Sequence, residues 1–324
     1  MSDAGRPVSA LLVLVGPTGS GKSDLALMLA ERLDCEIIGC DALQVYQGFD
    51  AATAKPSIED RQRVPHHLID CIDPASDFSL ADYVRLVDDA VAQIAQRGNL
   101  PFVVGGSGMY LRGLLRGVIS TPPRNPELRE RLRAIVRRGG ARRLRAWLKR
   151  MDPESARRIP PGDLQRTIRA IELGYSPGQS WSERLSGGGT WDAESERYPA
   201  LKVGLAIDPE RAAERLDARV DAFFESGLVD EVRGLLAEGL SPTANAFKAI
   251  GYREVLAALQ HGEDAHSVRD EVKRKTRRYA KRQRTWFRRE PDLHWLDGHA
   301  EPQWLVERIV ELWQGFDRSA VSSD

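Results

Sequence analysis

The sequence predicts an α/β protein in which a parallel sheet is flanked by helices and carries a mostly helical insertion domain. Three observations lead there. An apolar run, Ala10 to Val15, leads directly into Gly16-Pro17-Thr18-Gly19-Ser20-Gly21-Lys22-Ser23. Short apolar runs then alternate with helical periodicity as far as about residue 120, the grammar of a doubly wound parallel sheet. Past that point, breakers and arginine-rich helical segments intervene before an apolar run resumes at Leu201.

The elements follow in chain order. ALLVLV (10–15) reads as a buried parallel strand, because it is apolar without alternation. Asp24 to Leu33 has helical periodicity. CEIIGC (35–40) is a second short strand ending at Asp41. Residues 78–97 form a helix with Leu80, Tyr83, Val84, Val87, Val91 and Ile94 on one face. PFVVG (101–105) is a third strand, closed by Gly105-Gly106. TPPRNP (121–126) is a hinge, and Ile159-Pro160-Pro161-Gly162 is a second breaker before a helix from Asp163 to Leu173. Ser186 to Thr190 reads as a flexible loop, LKVGLAI (201–207) as a strand, and the chain from 208 onward as mostly helical. Residues 1–120 and 196–324 thus form the core with basic C-terminal helices, and 121–195 form the insertion.

Composition narrows the function classes. The 324 residues allow one large domain plus a smaller one. No apolar run approaches membrane-spanning length, and the first is too short for a secretory signal, so a cytoplasmic protein is expected. Cys35, Cys40 and Cys71 form no CxxC pair, which argues against a disulfide framework or a zinc site. His66-His67 lacks partners at metal-binding spacing and reads as structural or substrate-lining. Net charge is zero, yet Arg124 to Arg169 holds fifteen Lys/Arg against five Asp/Glu, and Asp270 to Arg289 holds ten against two. Two such stretches in a neutral protein point to a polyanionic partner. In the second stretch, Lys273, Arg277, Lys281, Arg284 and Arg288 fall on one helical face, with Val272, Tyr279 and Trp286 as a packed seam.

The glycine-rich segment matches the P-loop pattern in its required context, after a strand and before a helix. This makes the core P-loop NTPase-like. Glycines let successive backbone N–H groups converge, the helix N-terminus favours an anion, Lys22 adds a point charge and Ser23 offers a hydroxyl to Mg²⁺. The strand at 101–105 ends in glycines, where an NTP hydrolase would carry a metal-holding Asp. A diphosphate of any alcohol would suit the cradle equally. Asp41, at the carboxyl end of the second strand, lies on the side where open α/β sheets bind ligands. Thr53-Ala54-Lys55-Pro56 follows, bringing a hydroxyl and an ammonium.

GPTGSGKS, DALQVY with TAKP, VPHHLID, GGSGMYLRGLL, RNPELRERL, DLQRTIRAIEL, KAIGYREVL and YAKRQRTWFRR occur in that order, from about residue 10 to residue 290. The set resembles the bacterial tRNA dimethylallyltransferase (tRNA isopentenyltransferase) family. The resemblance implies Mg²⁺-dependent transfer of the dimethylallyl group of dimethylallyl diphosphate to N6 of adenine 37. The acceptors are tRNAs reading codons that begin with U, held by their anticodon stem-loop. A monomer is expected. The resemblance makes Asp41 the general base, with Ser23 meeting phosphate and metal, Lys22 in the catalytic loop and Ser107 near the reacting region. Gly16, Pro17, Thr18, Gly19, Ser20, Gly21, Lys22 and Ser23 would hold the diphosphate, with Lys55 and Arg215. The tRNA contacts implied are Asp41, Ala42, Leu43, Gln44, Ser107, Arg129, Gln165, Arg166, Thr167, Ile168 and Arg169. Farther on they are Lys248, Ala249, Ile250, Gly251, Tyr252 and Arg253, then Lys281, Arg282, Gln283, Arg284, Thr285, Trp286, Phe287 and Arg288. The chain departs from the family at Ala42 (for Ser), Ser107 (for Thr) and Tyr175-Ser176-Pro177-Gly178 (for Thr-Gly). Tyr46, Tyr110 and Trp286 are aromatics that would stack on a base or fill the core. The residues alone also admit a prenyltransferase of free adenine nucleotides, a small-molecule kinase, and an RNA-binding module with a relic P-loop.

Overall fold

The computed structural model describes residues 9–119, 121–176, 180–186 and 196–316. Contacts divide the chain into two compact units, Met1–Leu115 with Glu196–Asp324, and Arg116–Ser195. Of the loop expected from Ser186 to Thr190, Ser186 instead ends a helix and 187–190 lie outside the described residues, as does the Pro177-Gly178 departure.

The larger unit is built on six parallel strands in the order β3-β2-β4-β1-β5-β6. They are β1 (Leu11–Val15), β2 (Cys35–Cys40), β3 (His66–His67), β4 (Leu100–Gly105), β5 (Ala200–Ala206) and β6 (Leu293–Asp297). β1 is buried along its whole length, which is why it reads as an unbroken apolar run. Helix α1 (Lys22–Leu33) follows β1, and α2 (Ile58–Arg63) precedes β3. Helix α3 (Leu80–Gln96) starts with a capping box between Ser79 and Asp82, and it buries Tyr83, Val84, Val87, Val91 and Ile94 as expected. Helix α4 (Gly108–Arg116) leaves β4.

Two strands of this unit went unread. β3 is only two residues long. β6 is an edge strand with Trp295 40% exposed, so it lacks a buried apolar run. In the sheet register, Gly105 of β4 pairs with both Val15 of β1 and Cys40 of β2. Gly16, Asp41 and Gly106 therefore leave three neighbouring strands at one level. The core lies against α1 and a C-terminal helix, here numbered α14 (Pro302–Gln314), which contributes Leu305, Val306, Ile309, Val310 and Trp313. Each such side chain, once buried, contributes about 1.5–3 kcal/mol.

The smaller unit is helical: α5 (Pro126–Gly139), α6 (Ala141–Met151), α7 (Pro153–Arg158), α8 (Leu164–Tyr175) and α9 (Trp181–Ser186). Its own core is formed by Leu132, Leu144, Leu148, Ile159, Ile168 and Ile171. Asn125 caps α5, Asp152 caps α7 and Asp163 caps α8, each accepting a first-turn N–H. After β5 the larger unit resumes with α10 (Pro209–Glu225), α11 (Leu228–Ala237), α12 (Tyr252–His261) and α13 (Arg269–Phe287).

His67 makes a structural contact, one of the two roles the sequence leaves open for the histidine pair. His67 Nε2 lies 2.7 Å from Glu36 Oε2, and Arg97 grips the same carboxylate through two 2.7 Å hydrogen bonds. The Arg97 hydrogen bonds hold Glu36 down to about 2 against the cost of burial, with help from His67 and Asn99. Among the described residues no group of three His, Cys, Asp or Glu side chains is placed to hold a metal ion. The cysteines are free thiols, and only Cys71 is exposed.

Candidate active site

The phosphate loop turns because Gly19 and Gly21 both take φ of +79°, a left-handed conformation that L side chains resist. Gly21 is also the N-cap of α1, so the loop amides and the helix N-terminus converge on one space. Lys22 folds back over its own loop, with Nζ donating to Pro17 O at 2.9 Å. Burial lowers its pKa from 10.5 to about 8; Arg219 pushes the same way and Asp41 opposes. Ser23 is exposed in the first turn of α1.

Asp41 follows β2. Its Oδ1 accepts the Leu43 N–H at 2.9 Å, an Asx-type turn that orients the carboxylate. Surrounding protein raises its pKa by desolvation, while the Leu43 and Gln44 N–H groups, Lys22 and Arg219 pull the other way. A carboxylate held in this balance accepts a proton more readily than an exposed one. Gln44 Nε2 donates to Thr53 O and Ala54 O, at 3.1 and 2.9 Å, tying down the loop after Asp41. Ser107 follows the glycine pair of β4. Its N–H donates to Cys40 O at 3.2 Å, and its hydroxyl meets the Tyr279 side chain. Tyr279 is pushed above the ordinary phenol range by burial and then by Asp41.

The glycines that end β4 have a steric cause. A Cβ on Gly106 would come 2.3 Å from Gln283 Nε2, and one on Gly108 would come 2.1 Å from the Trp286 ring. At the last residue of β4, a Cβ on Gly105 would come 2.2 Å from Cys40 O of β2, which leaves no room for a side chain, a metal-holding acid included.

Several expected contacts are placed differently. Arg215 is exposed on α10. The arginine of that helix that reaches the loop is Arg219, one turn on, whose Nη1 donates to Thr18 Oγ1 at 3.3 Å. Lys55 does not face the phosphate loop. Its ammonium is buried and donates to Tyr46 O and Asp50 Oδ1, both at 2.7 Å, and to Asp70. Lys55 thus braces its own loop. Burial alone would raise Asp70, but the hydrogen bonds from Lys55 and Arg61 keep it below the usual carboxylate range.

The basic helix α13 is amphipathic, with its faces set differently from the sequence reading. Val272, Thr276, Ala280, Gln283 and Phe287 are its buried residues. Lys273 and Arg277 turn toward α10 and pair with Asp221 and Asp217. Its exposed cations are Arg274, Arg278, Lys281 and Arg282; Thr285 is exposed as well, and the exposed Arg288 and Arg289 follow its last turn. Arg284 is half-buried, and Arg282 lies over the Tyr279 ring at 5.6 Å. Gln283 and Phe287 are therefore interior residues, and Trp286 lies against α4 with Arg112 5.2 Å above its ring. Tyr46 and Tyr110 are core residues, Tyr110 stacking on Tyr83 at 4.3 Å. In the segment 248–253, Lys248 and Arg253 are exposed and Ile250 is half-buried, while Ala249, Gly251 and Tyr252 are buried. The Tyr252 hydroxyl bonds Glu231 at 2.5 Å.

Within the smaller unit, Gln165 and Arg166 are exposed, whereas Thr167 and Ile168 are buried. Arg129 and Arg169 both grip the buried Glu172, at 3.1 and 2.6 Å, and so hold α5 and the hinge segment to α8. Arg169 also donates to Thr121 Oγ1 and Pro122 O, each at 2.8 Å. Further cations of this unit are exposed on α5, α6 and α7, among them Arg131, Arg142, Arg143, Arg150, Arg157 and Arg158.

A glycine-rich loop after β1, a desolvated carboxylate at the end of β2, two strands away across β4, and an arginine over the loop define a P-loop-like fold with a site suited to a phosphate ester. Known proteins narrow the class. The family model described as IPP transferase matches residues 44–290. A tRNA dimethylallyltransferase of Solibacter usitatus is 45% identical over 88% of this chain and 92% of its own. One from Geotalea uraniireducens is 41% identical over 94% and 97%. Among solved structures, the tRNA isopentenylpyrophosphate transferase of Bacillus halodurans is 35% identical with a TM-score of 0.70, covering 95% of this chain and 96% of that one. A eukaryotic dimethylallyltransferase acting on tRNA gives a TM-score of 0.79 at 26% identity, over 95% of this chain and 79% of that one. The chain belongs to the IPP transferase family, the family of the tRNA dimethylallyltransferases.

Proposed function

We propose that this protein transfers the dimethylallyl group of dimethylallyl diphosphate to N6 of adenine 37 in tRNAs reading codons that begin with U. The observation that carries the reading is the meeting of Lys22, Arg219 and the loop amides with Asp41, where three strands end level. One side of that site suits a leaving diphosphate and the other a nucleophile that must lose a proton.

The N6 lone pair forms the new bond to C1 of the donor as the C1–O bond breaks. The bonding electrons leave with the diphosphate, and the N6 proton passes to Asp41. The amides of Gly19 to Ser23, Lys22 and Arg219 stabilise the charge gathering on the leaving group. Asp41 orients N6 and accepts its proton, help typically worth about 10²–10⁴-fold. The adenine must leave its stack, at a few kcal/mol, which is least in a single-stranded loop.

A Mg²⁺ ion fits the donor set. The exposed Ser23 hydroxyl offers one ligand and the diphosphate oxygens offer others, which is how Mg²⁺ is commonly held. When bound, the ion would add positive charge at the leaving group. The anticodon stem-loop would lie along the exposed face of α13. Gln165 and Arg166, exposed on α8, are the tRNA contacts that the family resemblance gives the smaller unit. No helix among the described residues is long and apolar enough to cross a membrane, and a cytoplasmic monomer suits a tRNA-modifying role.

The test is a choice of acceptor. Equal concentrations of AMP and unmodified tRNA are offered with radiolabelled donor. Label in tRNA alone is the expected result, and label in AMP would give the site to free nucleotides instead.

A further inference from the structure

The side chain of Gln283 spans the space between the phosphate loop and the end of β4. Its Oε1 accepts the Thr18 N–H at 2.9 Å, and its Nε2 donates to Gly106 O at 3.0 Å. The amide is 6% exposed, and each end meets a backbone group far away in sequence. The room for it is made by Gly106, where any Cβ would strike Nε2. Thr18 is held a second time, through its hydroxyl, by Arg219. The apex of the phosphate loop is thus fixed by one residue from α10 and one from α13. Helix α13 carries Lys281, Arg282, Thr285 and Arg288 exposed around it, while Gln283 sits on its buried side.

We propose that Gln283 is a positioning residue for the donor site, setting the phosphate loop through Thr18, rather than a residue that touches tRNA. The proposal deepens the transfer reading and rests on it for the identity of the donor. A buried amide satisfied at both ends is a rigid spacer, and removing it frees the loop to leave the shape in which its N–H groups converge. The chemistry at Asp41 does not pass through Gln283. The cost therefore falls on diphosphate binding.

The experiment uses two variants of the full chain. Gln283→Met keeps the volume and removes both hydrogen bonds. Gln283→Glu keeps an acceptor for Thr18 N–H and loses the donor to Gly106 O. Each is read by calorimetric titration with inorganic pyrophosphate and Mg²⁺, by KM for donor and for tRNA, and by thermal melting. The expected result is pyrophosphate affinity and donor KM worse by about tenfold, the scale of one or two buried hydrogen bonds, with tRNA KM within about threefold. A raised tRNA KM with unchanged pyrophosphate affinity would make Gln283 an RNA contact and overturn the proposal. Unchanged pyrophosphate affinity in a folded variant overturns it too, as does failure of both variants to fold, which would make the bridge purely structural. Pyrophosphate titration needs no transfer. A wild type that binds pyrophosphate but prenylates nothing would sink the transfer reading and leave this one standing.

Discussion

Replacing Arg219 with Gln removes the guanidinium above the phosphate loop while keeping a polar side chain of moderate length. Its Nη1 contacts Thr18 Oγ1, and its charge is felt by both Lys22 and Asp41. A unit charge at roughly 5 Å from a diphosphate oxygen, in an effective dielectric of about 20, interacts by about 3 kcal/mol. Solvent at the mouth of the site reduces that to roughly 2 kcal/mol, or about thirtyfold. The assay is initial-rate transfer of labelled dimethylallyl group to tRNA with donor varied. Arg219→Gln is expected to lower kcat/KM for donor about thirtyfold and to leave tRNA KM nearly unchanged. Arg215→Gln, on the same helix one turn earlier but exposed, is the control and is expected to change little, as surface substitutions do. If Arg215→Gln cost as much as Arg219→Gln, the placement of this helix over the loop would be wrong.

Three further outcomes are expected. Asp41→Asn keeps the size of the side chain but removes its basicity; single-turnover transfer should fall by about 10²–10⁴-fold while tRNA affinity by filter binding stays within a few-fold, and a loss below tenfold would remove Asp41 as the base. Lys22 binds phosphate as an ammonium, and its folded pKa is lowered to about 8; kcat/KM for donor should therefore hold up to about pH 8 and fall above it, and a profile flat to about pH 9.5 would contradict this role. Lys281→Gln and Arg288→Gln should each reduce the slope of log tRNA affinity against log salt by about one, whereas Lys273→Gln, already paired with Asp221, should not; equal slopes for all three variants would remove the exposed face of α13 as the RNA track.

What could be read from the sequence is what local pattern determines. β1, the phosphate loop and Asp41 follow from an unbroken apolar run, glycine spacing and a strand end. The periodicity of α3 marks its buried face nearly residue for residue. What failed depended on distant partners. Lys55 reads as a free ammonium until Asp50 and Asp70 close on it. Arg129 and Arg169 read as surface charge until Glu172, itself deep in the smaller unit, is seen to need both. Arg215 and Arg219 are one turn apart and share a stripe of α10, so periodicity cannot choose between them. In α13 the cations occur all round the helix, and the acids of α10 decide which of them are neutralised. Gln283 stands among the tRNA contacts that the resemblance implies, and no local pattern marks it as a buried bridge to Thr18 and Gly106.

The most direct test of the central claim is nucleoside mass spectrometry of unmodified tRNA incubated with the purified protein, Mg²⁺ and dimethylallyl diphosphate. The expected product is N6-dimethylallyladenosine at position 37, and only in tRNAs that read codons beginning with U. Absence of any prenylated adenosine, with the protein folded and binding pyrophosphate, would contradict the claim.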